Sequence, residues 1–163
     1  MEDATENTKG FWDFSCDFYC QPQVRGSLLW LQDNRNLDVI MLLLCLWQGR
    51  QHHLIPAEEM AEACQLCGQW SSHVIAPIRA SRRWLKTRGD ADLYEQIKAA
   101  ELNAEKSLIM ALAGKWHVTA DQRNNRSTSL DCAEKNTGLY LQQAGIEKDQ
   151  HLENRLNILI ALV

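Results

Sequence analysis

Apolar positions recur along this chain with helical spacing almost from end to end. Phe11, Phe14 and Phe18, with Tyr19 beside them, predict a first helix from about Gly10 to Cys20, which Pro22 should end. A second helix, about Val24 to Asn34, carries Leu28, Trp30 and Leu31, and Asn34-Arg35-Asn36 reads as a turn. From Val39 to Trp47 every residue is apolar. A helix that is apolar on all sides cannot lie on a surface, so this stretch is expected to be a buried central rod. Asp38 is placed to cap its first turn and Gly49 to end it.

The pattern continues with a helix opened by Pro56, with Glu58 and Glu59 in its first turn, reaching Ser71 or Ser72. A further helix should run from about Val74 to Thr87. Gly89-Asp90 then turns the chain into a long helix, about Ala91 to Trp116, with an inner stripe of Leu93, Ile97, Ala100, Ala104, Leu108 and Leu112. Thr119 to Thr128 reads as a loop. Two last helices follow, about Leu130 to Ala144 and Asp149 to Ala161. The expected fold is all-α: a single compact domain of seven or eight helices around a central apolar helix near 38–48. Residues 1–9 should form a flexible leader to a helical domain over 10–163.

Composition supports this. The chain has 163 residues, enough for one domain with its own core, and only three prolines and eight glycines. A net charge of −4 disfavours a generic nucleic-acid binder. Met1 to Lys9 is polar and acidic, unlike a secretory leader, and the Leu37–Trp47 run is too short to span a bilayer. A cytoplasmic location with reduced cysteines is expected, with no membrane contact. The apolar tail Leu156–Val163 could close the core or form a dimer seam.

Candidate chemistry is sparse. Arg79, Arg82, Arg83 and Lys86 share one face of the fifth helix, with Trp84 within the stripe and Arg88 just beyond. Counting outward from Gly89-Asp90 places Arg79 level with Glu101, which with Glu105 would make an interhelical charge ladder. The alternative is an anion site that meets an acidic protein surface or a nucleic-acid backbone. Asp33 and Asp38 offer a second candidate. Asp38 reads as a cap, and Asp33, at a helix end that repels carboxylates, is either exposed or paired, with Arg35 nearest in sequence. In the sharper reading Asp33, Asp38, Glu101 and Glu105 line one polar cavity with Arg79 and Arg82.

Cys64 and Cys67 have C-x-x-C spacing, but no second pair exists, and His52, His53 or His73 would have to fold back to complete a zinc site. No nucleophile elbow, phosphate loop or H-E-x-x-H occurs, and His117 and His151 read as loop or surface residues. No catalytic residue, metal or cofactor is assigned.

Four ordered blocks carry a resemblance: Phe11–Tyr19, Leu31–Trp47, Ala76–Lys86 and Ile97–Lys106. Together they resemble a conserved hypothetical bacterial family of about this length, a domain of unknown function. Its members have Trp-x-Phe near the start, Leu-Gln-Asp, a Leu-rich helix ending in Trp, Pro-Leu-Arg with Arg-Arg, and Lys-x-x-Glu-Leu-x-x-Glu. The chain departs at Leu37, where the family tends to glycine, and at Ile40, where it tends to asparagine. Beyond residue 110 only Asn136, Leu139, Tyr140 and Leu141 look similar. The resemblance implies an intracellular all-helical protein and no particular activity. Members of that family often lie near genes for a translation-associated ABC ATPase, so the resemblance points toward a translation-linked adaptor. The leading expectation is thus a binding or adaptor protein using the basic face at 79–88. The competing one is a small all-α enzyme or ligand-binding protein with an acidic and arginine-lined pocket.

Overall fold

In the computed structural model, which describes residues 2–116 and 127–163, the apolar rod is the helix α3 (Val39–Arg50). Every residue from Ile40 to Gly49 is buried. Around it lie α1 (Glu2–Cys20), α2 (Pro22–Arg35), α4 (Ala57–Trp70), α5 (Ala76–Leu85), α6 (Ala91–Lys115), α7 (Ser129–Gln143) and α8 (Gln150–Ile160). There is no strand among the described residues. The π turn Ser71–Ile75 joins α4 to α5 into one continuous rod, so these eight helices make seven rods. No described helix is long and apolar enough to cross a membrane.

Several boundaries differ from the sequence pattern for identifiable reasons. The backbone of α1 is helical ahead of Gly10. Pro22 starts α2 instead of merely stopping α1, since the first helical position needs no N–H. Asn36 closes α2 in the left-handed region (φ 53), which asparagine tolerates better than most residues. The expected break between the fourth and fifth helices is a change of hydrogen-bond register. Ala76 N–H donates to Ser71 O, five residues back, just before Pro77, whose ring would press on a regular turn. Most of the Thr119–Thr128 loop, and His117, lie outside the described residues.

Gly49 does not end α3. It lies within the helix, where a Cβ would fall 2.6 Å from the N, Cα and Cβ of Ala133. Glycine here lets α3 and α7 touch backbone to backbone, and α7 is the most extensive neighbour of α3.

Burial of so apolar a rod still requires its polar backbone ends to be satisfied. Asn136 of α7 does this for the chain leaving α3. Its Nδ2 donates to His53 O (2.9 Å) and Cys45 O (3.3 Å), and its Oδ1 accepts from Ile55 N (2.9 Å). Buried Gln48 extends the network, donating to Trp116 O (2.8 Å) and pairing with His53 Nδ1 (3.0 Å). Burial holds the His53 imidazole below its ordinary pKa, which favours the neutral ring. On the opposite flank Trp47 packs among Phe11 and Phe14. The tail helix α8 buries Leu152, Leu156 and Leu159 and packs mainly on α2, which leaves Ile158 and Leu162 outside.

Candidate functional site: the α5–α6 hairpin

The chain reverses between α5 and α6 at Gly89, whose φ of 84 suits a residue without a Cβ. Asp90 then caps α6 by accepting from Leu93 N (2.9 Å). The basic residues divide along this hairpin. Arg79 donates through Nε to Glu101 (2.8 Å) and through Nη2 to Glu105 (2.8 Å). Arg82 binds the other oxygen of Glu101 through its Nε. Glu101 is thus forked between two guanidinium groups, a strong charge-assisted arrangement. Although burial acts to raise its pKa, the hydrogen bonds from Arg82 and Arg79 hold the Glu101 carboxyl below its ordinary value.

Arg83, Lys86 and Arg88 are exposed and form no ion pair among the described residues. Since α5 ends at Leu85, Lys86 and Arg88 belong to the reversing turn, not to one continuous basic helix face. Arg88 lies over the Trp84 ring, 4.6 Å from its centroid. Trp84 is 57% exposed. It forms one wall of an open groove of about 480 Å³ between α5 and α6, lined also by Ala80, Ser81, Leu85, Leu93 and Ile97.

This groove corrects the expected inner stripe of α6. Ala104, Leu108 and Leu112 are buried, but Leu93 is 40% exposed and Ile97 only half-buried. From Lys86 to Gln96 only Tyr94 is even half-buried. The outer end of the hairpin therefore stands clear of the body with its apolar side uncovered. Leu93 and Ile97 were not legible as surface residues because periodicity marks an apolar face without showing whether anything covers it.

The polar candidates gather only in part. Asp38 caps α3, accepting from Ile40 N (2.8 Å) and Met41 N (3.1 Å), while its own N–H donates to the Tyr140 hydroxyl (2.8 Å). Burial raises its carboxyl pKa, and the two cap bonds and the Arg79 charge draw it partly back. Glu105 is also raised, first by burial and then by Glu101 and Asp38 against the pull of Arg79. Asp38, Glu105 and Arg79 are therefore electrostatically coupled. Asp33 takes no part: it is exposed and makes no ion pair among the described residues. Arg35, its nearest cation in sequence, instead binds Asp149 at the start of α8 and stacks over Trp30 (5.1 Å).

Burial pushes the Cys64 and Cys67 thiols up, away from the reactive thiolate. The three histidines that would have to complete a zinc site are engaged elsewhere: His53 is held by Gln48, His52 meets Ser127 O (3.0 Å), and His73 stays on its own turn with Gln69 O (2.9 Å). Among the described residues no group of three or more His, Cys, Asp or Glu side chains could hold a metal ion.

Fold and hairpin together define an all-helical domain with a buried apolar rod and a projecting, partly uncovered helical hairpin. The model of a protein family of unknown function, DUF2390, matches residues 10–112, well over half the chain, and the protein belongs to that family. The matched stretch contains all four blocks noted in the sequence up to Lys106; it leaves out α7 and α8, which help close the core around α3. No curated protein and no solved structure matches the chain.

Proposed function

We propose that this is a binding protein whose docking surface is the outer end of the α5–α6 hairpin. The observation that carries the reading is Trp84, more than half exposed at the wall of an apolar groove and stacked under Arg88. Exposed Trp beside Arg is the composition of interface centres, and a soluble domain rarely leaves such a patch without a use. Arg83, Lys86 and Arg88 supply the charge at this end. Arg79 and Arg82 hold the hairpin together and support the surface from behind. A cytoplasmic location fits the six free cysteines, including exposed Cys20. A link to translation is what the family resemblance adds.

The enzymatic alternative has less support. Asp33 is exposed and makes no ion pair among the described residues, Asp38 is engaged as a cap, and both arginines are engaged by glutamates. The test is a photo-crosslinking residue placed at Trp84 in the native cell, with the same residue at exposed Leu130 as control. Covalent adducts are expected at position 84 and not at 130. Absence of any adduct at 84 would sink the reading, and the adducts' identities would test the link to translation.

A further inference from the structure

We infer that the occupant of the α5–α6 groove is an acidic amphipathic helix of a partner protein; this rests on the docking reading above. The groove lies between two antiparallel helices, and a third helix is the element that fills such a channel, ridge into groove, at an axis separation of about 8–10 Å. Leu85 and Ile97 line its deeper part, while Trp84 and Leu93 stand exposed at its sides. An incoming helix would seat apolar side chains spaced i, i+3/i+4, i+7 between these walls, the spacing that keeps them on one face.

Charge selects the sign of that helix. The chain as a whole carries −4, yet the α5 arm of the hairpin and its turn, from Ala76 to Gly89, carry cations and no acidic residue. Arg83, Lys86 and Arg88 have no anionic partner among the described residues. The neighbouring anions all stand on the other arm, at the start of α6: Asp90, which caps it, Asp92, and Glu95, which pairs with Lys98 (3.2 Å). Arg88 is held over the Trp84 ring, so its donors are positioned at the groove before any partner arrives. A carboxylate beside an apolar stripe would meet Arg88 and Trp84 together, which a bare polyanion would not exploit. This is why a helix fits better than a nucleic-acid backbone, whose contacts are phosphate-led.

The probe is a fluorescently labelled model peptide, an amphipathic helix with Leu at the i, i+3, i+4, i+7 positions and Glu on its flanks. Two controls share its length: a scrambled peptide without the stripe, and a peptide with Lys in place of Glu. Anisotropy titrations of the full chain should show binding of the acidic striped peptide that weakens with salt. Both controls should bind at least tenfold more weakly. Trp84→Ala and the double variant Arg83→Glu/Arg88→Glu should each lower affinity at least tenfold, with unchanged helical circular dichroism and melting. Equal binding of all three peptides, no binding, or binding indifferent to Trp84→Ala would overturn the inference. So would a homopolymeric RNA that binds tightly through Arg83 and Arg88 without needing Trp84. Light scattering that shows a dimer lost in Trp84→Ala would also overturn it, since the occupant would then be a second copy. If the peptide fails but crosslinks at position 84 persist, the docking surface stands and only its occupant is wrong.

Discussion

The two ends of α6 show what covering an apolar stripe does. At its C-terminal end Ala104, Leu108 and Leu112 are sealed in the core near α1 and α3. At its N-terminal end the same stripe continues through Ile97 to Leu93 and meets solvent. The charges follow the same division. Beside the sealed half Arg79 and Arg82 are locked onto Glu101 and Glu105, and beside the open half Arg83, Lys86 and Arg88 stay free. The apolar stripe runs through both ends, at Leu93 and Ile97 as at Ala104, Leu108 and Leu112. What differs is whether a third element packs on the stripe, and that decides which residues serve stability and which are available for binding.

Substitutions at the two ends should therefore separate stability from binding. The largest loss of stability is expected for Asn136→Ala, which leaves the buried Ile55 N–H without its acceptor and removes the amide's bonds to His53 O and Cys45 O. Chemical denaturation should show a loss of about 4 kcal/mol. Gly49→Ala forces α3 and α7 apart and should cost about 3 kcal/mol, because the clash is with backbone that cannot rotate away. Either variant folding as stably as the parent would mean that the α3–α7 contact is not the anchor of the core.

Glu101→Gln should cost about 2 kcal/mol, less than a fully buried pair because both arginines keep about a quarter of their surface. Its pH dependence gives a second readout. The Glu101 carboxyl is depressed in the folded chain from an ordinary value of 4.5. Its contribution is thus complete above about pH 4.5 and is lost as pH falls through the lower folded value. Stability curves of parent and Glu101→Gln should converge in acid; parallel curves would deny the role of the fork.

Asp38 has the opposite sign. Its carboxyl is raised, so ionisation costs stability that returns as pH falls through the raised value. Asp38→Asn keeps a capping oxygen without the charge and should leave stability at pH 7 within about 0.5 kcal/mol of the parent. Asp38→Ala should lose about 1 kcal/mol. Trp84→Ala should likewise change stability by under about 0.5 kcal/mol while its effect on binding is large, because an exposed side chain away from the core contributes little to folding.

The contrast also explains what could be read without coordinates. The α3 rod, its Asp38 cap, the Gly89-Asp90 reversal and the alignment of Arg79 with Glu101 all follow from local rules, and each is present. The role of Gly49 was illegible because a glycine near a helix end looks the same whether it ends the helix or admits a neighbour. The pairing of Arg35 with Asp149 joins residues far apart in sequence, and nothing local favours it over Asp33. Asn136 had a faint signal: it falls on the same face of α7 as Cys132, Ala133, Thr137 and Tyr140, where a solvated amide has no place.

The π turn at Ser71–Ile75 has a consequence for how this protein can change. A turn closed five residues back holds one residue more than an α-helical turn, so it takes up that residue while the helix on either side keeps its course. Deleting a single residue there would let the rod close as a regular helix with α5 close to its present phase. The same deletion inside α5, between Arg79 and Arg82, would instead turn everything after it by about 100°, swinging Arg82 off Glu101 and Trp84 off the groove wall. The Ser71–Ile75 turn is therefore the place in this rod where a one-residue change of length costs least, and the hairpin beyond it should tolerate deletion there far better than within α5.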